Sequence, residues 1–222
     1  MNIFELNLEK KVSILPSDAF IIVDMQNDFI RGALAVKGGQ EIVAGINQVC
    51  AIFKRRGARI ILTQDWHPPN HKSFASSHPG KKPFEAYSTV GLGPVLWPNH
   101  CVQGEKGAEF SKQLDTKVAD AIIRKGMNPE MDSYSTFLEN DKKSETGLSG
   151  YLKSLRISRL FICGLALDYC VYYSAMDGKG LGFEVYVIMD LTRGIDDPPG
   201  SIQTAIKTMT DKGIKFLKST IL

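Results

Sequence analysis

The sequence predicts an α/β fold, a doubly wound and mostly parallel sheet of about six strands flanked by helices. Three observations predict it. Short apolar runs without clean polar alternation recur along the 222 residues, as expected of strands covered on both faces. Segments of helical periodicity separate these runs, and alternation of strand and helix builds a parallel sheet. No internal repeat or low-complexity linker breaks the series, so residues 1–222 read as a single domain.

The elements follow in order. Residues 19–23 form an apolar run that ends at Asp24. Residues 40–56 place Ile42, Val43, Ile46, Val49, Cys50 and Phe53 on one helical face, and Gly57 supplies the stop. The run 59–63 leads to Asp65, and the run 119–123 leads to Lys125. A short helix is expected over 148–155 and a strand over 159–163, followed by Gly164. A further helix spans 168–179, with Asp168 expected as its N-terminal cap. The strand 184–189 runs into Asp190, which reads as structural. Pro198-Pro199 opens a helix over 201–212, and 214–217 adds a last strand.

Composition narrows the function classes. Hydrophobic residues at 43% and charged residues at 23% exclude a disordered or fibrous chain. A net charge of +3 gives no basic face for nucleic acid. No apolar run approaches the roughly 20 residues of a membrane span. Neither nucleic acid nor membrane is therefore expected as a partner. The first 17 residues, with Glu5, Glu9, Lys10 and Lys11, lack the apolar core of a secretory signal. The last four, Ser219 to Leu222, are no peroxisomal address. Cys50, Cys101, Cys163 and Cys170 form no C-x-x-C pair and read as free thiols of a reducing compartment, the cytoplasm.

Parallel sheets bind ligands beyond the carboxyl ends of their strands. Asp24, Asp65, Lys125 and the turn 164–170 fall there, so two acids, a base and a thiol share one edge. The irregular stretch 66–105 holds all four histidines (His67, His71, His78, His100), both tryptophans and six of the ten prolines. A loop of this length and aromatic content is organised around a ligand or metal. Asp65 and His67, at i and i+2, leave one face of an extended segment together, and His100 can close the set. Two imidazoles and a carboxylate leave positions open for water or substrate; the plain alternative is surface loop histidines. Cys170 sits in the first turn of a helix, where the dipole and unpaired N–H groups favour thiolate and can hold an oxyanion. Its alternative is a buried structural cysteine. Asp24 could take the thiol proton and pass it to a leaving amine, with Lys125 holding Asp24 in place; the alternative is a buried salt bridge. Cys50 and Cys163 read as core, and Cys101 stays ambiguous.

Five motifs in order give a family resemblance from about residue 18 to the C-terminus: Asp24-Met25-Gln26-Asn27-Asp28-Phe29; Asp65-Trp66-His67-Pro68 with Ser73-Phe74; Trp97-Pro98-Asn99-His100-Cys101-Val102; Lys125-Gly126 with Asp132-Ser133-Tyr134-Ser135-Thr136-Phe137; and Gly164-Leu165-Ala166-Leu167-Asp168-Tyr169-Cys170-Val171. The chain resembles the pyrazinamidase/nicotinamidase group of the isochorismatase-like cysteine hydrolase superfamily. The resemblance implies a triad of Asp24, Lys125 and Cys170. It implies Asp65, His67 and His100 as ligands of zinc, with iron or manganese as alternatives, and Ser73 as a further direct or water-mediated ligand. Phe29, Trp97 and Tyr134 match the substrate ring pocket. Ala166 and Cys170 match the oxyanion hole, beside a cis peptide at Leu165-Ala166. The stretch 66–105 becomes the metal-binding and substrate loop, and 126–140 a lid. Leu167 departs from the family, many of whose members carry Thr there.

The activity so implied is hydrolysis of nicotinamide to nicotinic acid and ammonia through a cysteine thioester, in NAD salvage. Related pyridine or pyrazine carboxamides would serve as further substrates, and the sequence leaves a homo-oligomer open. One rival is a metal-independent N-carbamoyl-amine amidohydrolase of the same superfamily, against which the Asp65, His67 and His100 set argues. Another is a non-catalytic metal-binding or thiol redox protein, which leaves Asp24 and Lys125 without a purpose.

Overall fold

A computed structural model describes residues 6–222; Glu5, part of the leader reading, lies outside them. The chain runs β1 (Asp18–Val23), α1 (Asn27–Ile30), α2 (Val43–Arg55), β2 (Arg59–Asp65), β3 (Ala121–Lys125), α3 (Leu148–Ser154), β4 (Arg159–Leu165), α4 (Tyr172–Gly180), β5 (Glu184–Arg193), α5 (Ser201–Asp211) and β6 (Lys215–Leu217). The six strands form one sheet in the order β3-β2-β1-β4-β5-β6, and every pairing is parallel.

Register shows how both faces are covered. Phe20 of β1 pairs with Phe161 of β4, which pairs with Tyr186 of β5. Side chains in that row leave one face together. The α2 ring of Phe53 packs on it, with ring centroids 4.9 Å from Phe20 and 5.3 Å from Phe161. Val43, Ile46, Val49, Cys50 and Phe53 make up the buried stripe of α2. Leu160 and Val185 stand one residue earlier and point to the opposite face, where Gly178 of α4 lies against both. The sheet is doubly wound.

The expectations and the structure differ in several places, among them the helices expected over 40–56 and 168–179, whose regular parts begin at Val43 and Tyr172 after separate turns. Strand β3 begins at Ala121, not 119, and sits at the sheet edge, so Ile122 is exposed rather than covered. Strand β5 continues through Asp190 to Arg193, with a register shift against β4 near Gly164. The Asp190 carboxylate accepts hydrogen bonds from the Ser219 backbone N–H at 2.8 Å and hydroxyl at 2.6 Å, pinning the last turn of chain. Asp168 does not cap its own helix. Its carboxylate accepts from the N–H groups of Ile195 and Asp196 at 3.0 and 2.8 Å, and from the Ser201 hydroxyl. It clamps the loop between β5 and α5 against the turn after β4.

Strand order reverses between β1 and β4, because β2 and β3 lie to one side of β1 and β4 to β6 to the other. The crevice at such a switch point, beyond the carboxyl strand ends, is where α/β sheets bind ligands. Val23 pairs with Gly164 there. Gly164 has φ of 110°, and a Cβ on it would meet the Val23 carbonyl oxygen at 2.1 Å, so only glycine lets the two strand ends close up. Replacing Phe53 by alanine should cost about 3–5 kcal/mol, since the ring joins α2 to two strands. Urea denaturation measures this; a loss under about 1 kcal/mol would contradict the packing described.

Candidate active site

Asp24 follows β1 with a left-handed backbone, φ 49°. This conformation is uncommon for a residue with a Cβ, though Asp adopts it more often than most. Its Oδ1 accepts the Thr63 hydroxyl at 2.6 Å, and its backbone N–H donates to the same Oγ1 at 3.2 Å. Thr63 is two residues before Asp65 on β2, so strand alternation turns both toward the same side. The ends of β2 and β3 are in register, with Asp65 paired to Lys125.

Lys125 is the hub. Its side chain is fully buried. Its Nζ lies 3.0 Å from Asp24 Oδ2, against Asp65 Oδ1, 2.9 Å from the Ser133 carbonyl oxygen and 3.5 Å from Cys170 Sγ. Asp24 Oδ2 is near enough for an ion pair but has no aligned hydrogen bond, so charge rather than directionality holds it. Burial alone would strip the lysine of its proton; the Asp24 and Asp65 carboxylates outweigh burial and push its pKa well above normal. Asp65 shows the converse: burial raises its pKa, but Lys125 and His67 more than compensate and hold it below the carboxylate range. Asp24, buried and beside Asp65, is raised above its ordinary 3.8 despite Lys125.

Cys170 lies in the turn Leu167–Val171 ahead of α4, after a cis peptide between Leu165 and Ala166. A position at the head of a helix suggested thiolate. The surroundings oppose that tendency: burial pushes the thiol well above 9.0, and Asp24 and Asp65 add to the rise against Lys125. A thiol so raised needs a base, the role the sequence offers to Asp24. Side-chain atoms of Asp24, Asp65 and Cys170 lie within 4.8 Å of one another.

Asp65 also faces the histidines. His67 Nε2 lies 3.6 Å and His100 Nε2 3.8 Å from Asp65 Oδ2. The other ring nitrogens are committed: His67 Nδ1 donates to the Gly126 carbonyl at 2.9 Å, and His100 Nδ1 to the Pro98 carbonyl at 2.8 Å. A carbonyl only accepts, so each ring carries its proton on Nδ1 when neutral and turns a lone pair toward Asp65. Burial, with His67 beside it, depresses His100 to about 4. Lone pairs converging on a carboxylate repel unless a cation sits among them, and backbone carbonyls behind the rings are the usual support of histidine ligands. The donor set fits a divalent metal. Gly126 has φ of 67°, and a Cβ there would come within 2.4 Å of the His67 ring.

The loop 66–105 is organised by its own pairings, Phe74 with Trp97 and Ala86 with Val95, and by His67 against Val102. Ser73, expected near the metal, has its hydroxyl 2.7 Å from His71 Nδ1. Trp97 Nε1 donates to the Tyr134 hydroxyl at 3.0 Å, which donates to the Gly93 carbonyl at 2.8 Å. One cavity is lined by Phe29, Asp65, Trp97, His100, Tyr134, Ala166 and Cys170, together with Leu34, Asp132, Tyr169 and Ile195. The thiol and the histidine thus open onto the same space. The cavity has about 20 Å³ of space for water-sized spheres, room for about one water.

Leu34, Asp132, Tyr169 and Ile195 were not singled out from the sequence. Asp132 and Tyr169 stood inside motifs already noted; Leu34 and Ile195 carried no signal, and Ile195 reaches the cavity through the Asp168 clamp. Gln26 was also missed. Its amide spans β2, donating to the Asp65 and Ala108 carbonyls at 2.7 and 2.9 Å while accepting from the Asp65 N–H at 2.8 Å.

A family model for the isochorismatase domain matches residues 18–220, and the chain belongs to that family. Within it, the similarity runs to particular enzymes. The chain is 44% identical over 214 residues to a nicotinamidase of Acinetobacter baylyi, spanning 96% of this chain and 97% of that one. Its fold matches PnC1 of L. infantum in complex with nicotinate, with a TM-score of 0.82, 39% identity and coverage of 96% and 98%. It also matches the pyrazinamidase of Pyrococcus horikoshii in complex with zinc, with a TM-score of 0.75, 37% identity and coverage of 91% and 99%.

Replacing Lys125 by methionine should destabilise the fold by about 3–5 kcal/mol at neutral pH, because two carboxylates are left buried without their cation. Stability should recover in part as pH falls, since protonation removes those charges. Urea melts at two pH values read both effects; a variant equally stable at both would contradict the shared ion pair.

Proposed function

We propose that this chain is a nicotinamidase, hydrolysing nicotinamide to nicotinic acid and ammonia through a thioester on Cys170. The observation that carries the reading is a thiol paired with Asp24 and Lys125 that shares one cavity with His100 and Asp65, two members of the Asp65, His67 and His100 cluster, in a chain closely similar to nicotinamidases. The aromatic lining suits a flat ring, and the acid–base pair suits an amide.

The residues divide the work as follows. Phe29, Trp97 and Tyr134 hold the ring. Asp65, His67 and His100 would hold a divalent cation, which when bound supplies a Lewis acid for the ring nitrogen. Zinc is our choice, supported by the zinc complex of the Pyrococcus relative; iron and manganese suit the same donors. Asp24, ionised, takes the Cys170 proton. Sulfur then bonds to the carboxamide carbon, and the carbonyl electron pair moves to oxygen, where the N–H groups of Ala166 and Cys170 receive it. The pair returns, the C–N bond breaks, and Asp24 gives its proton to the departing amine as ammonia. Water next attacks the thioester, losing a proton to Asp24; the C–S bond breaks, nicotinic acid leaves, and the proton returns to sulfur. Throughout, Lys125 keeps Asp24 beside the sulfur and offsets its charge.

Asp24 works as a base only when ionised. Its raised pKa therefore sets the acid limb of kcat/KM above the ordinary aspartate value of 3.8, with activity falling as pH drops through it. A pH profile tests this, and one flat down to about pH 4 would contradict it. Cys170→Ala should end ammonia release from nicotinamide while zinc stays bound. Near-normal turnover by that variant would refute the covalent route.

A further inference from the structure

We propose that Asp132, carried on the lid segment, is a second carboxylate of the metal centre. The inference rests on the reading that Asp65, His67 and His100 hold a divalent cation. Asp132 is 2% exposed and lines the cavity beside Asp65, His100 and Cys170. Its backbone is fixed on both sides, the N–H donating to the Gly91 carbonyl at 3.0 Å and the carbonyl accepting from Asn140 N–H at 2.8 Å. Its Oδ1 accepts the Ser133 N–H at 2.8 Å. With the side chain so held, Oδ2 is buried and has no hydrogen-bond partner among the described residues. Buried carboxylate oxygens are almost always paired or bound to metal.

The neighbours narrow what that oxygen awaits. A carboxylate oxygen of Asp132 and nitrogens of His67 and His71 lie within 4.8 Å of one another. His71 is not available as a ligand. Its Nδ1 accepts the Ser73 backbone N–H at 3.1 Å, beside the Ser73 hydroxyl, and its Nε2 faces the Met131 carbonyl at 3.1 Å. An N–H only donates and a carbonyl only accepts, so both ring nitrogens are spoken for. Those three residues are therefore not a second site; Asp132 adds its anion to the centre that already holds His67. Charge agrees. Once the histidines are neutral, as ligation requires, Asp24, Asp65 and Asp132 face the single ammonium of Lys125, leaving two negative charges that one divalent cation neutralises. Asp132 lies within 4.8 Å of His67 but outside the cluster of Asp65, His67 and His100, so it joins that centre through a water on the metal. Because it sits on the segment 126–140, metal binding also ties that segment to the loop 66–105.

The test uses the full-length chain stripped of metal and titrated with zinc against a competing chromophoric chelator. Wild type, Asp132→Asn, Asp132→Glu and His100→Ala are compared, and each is melted with and without zinc. Asp132→Asn should bind zinc about 10–100-fold more weakly than wild type, and Asp132→Glu should recover part of the loss. Without zinc, Asp132→Asn should melt at or above the wild-type temperature, because it removes an unpaired buried anion, while its zinc-induced rise should be smaller. That opposite response separates a metal role from simple loss of fold. Asp132→Asn binding zinc within twofold of wild type while His100→Ala loses it overturns this inference alone. A shift in nicotinamide KM with zinc affinity unchanged does the same, placing Asp132 on the substrate. Wild type that binds no zinc overturns the metal reading beneath it as well.

Discussion

The buried ammonium of Lys125 is the contact on which the site depends. Among the described residues it is the one positive side chain touching Asp24, Asp65 and Cys170 together. Asp24, Asp65 and Lys125 could not each hold a charge there alone: burial would neutralise both acids and the lysine. Held together, they keep a base, a nucleophile and a metal-facing carboxylate within a few ångströms. Asp65 carries that link onward, with one oxygen on Lys125 and the other toward His67 and His100. Half the site therefore cannot change charge without the other half responding.

The fold makes that contact cheap to maintain. Lys125 and Asp65 end two neighbouring strands in register, and Asp24 and the Cys170 turn follow the two parallel strands between which the strand order reverses. Strand geometry, not loop conformation, sets the spacing of the charged groups. Gln26 and Thr63 then lock the Asp65 backbone and the Asp24 side chain. The loops 66–105 and 126–140 supply the histidines, the aromatic walls and Asp132, and are knitted to each other by Lys72 N–H on the Pro129 carbonyl at 2.8 Å and Asp132 N–H on Gly91.

Much of this was legible in the residues. Apolar runs ending in Asp24, Asp65 and Lys125 disclosed both the parallel sheet and the edge where chemistry collects, because strand ends and binding crevice coincide in such folds. The Asp65/His67 spacing carried a face, since extended chain alternates. What stayed hidden depends on contacts distant in sequence. Asp168 looks like a helix cap locally and is a clamp on residues 195–201. Ile195 reaches the cavity only because of that clamp. At Cys170 the helix start pointed toward thiolate and Asp24 toward a proton acceptor; the burial and nearby carboxylates that raise the thiol are tertiary facts. Asp132 read as one polar residue in a lid motif; its orphaned oxygen exists only in the folded arrangement.

The central claim is that a cation and a nucleophilic sulfur share one cavity, joined through Asp65 and Lys125. Anomalous diffraction from crystals of the metal-loaded protein, recorded on both sides of the metal's absorption edge, tests it most directly. The account predicts one strong peak among Asp65, His67 and His100, opening onto the same cavity as the Cys170 sulfur. A peak elsewhere in the molecule, or none at that cluster in metal-replete active protein, would contradict it.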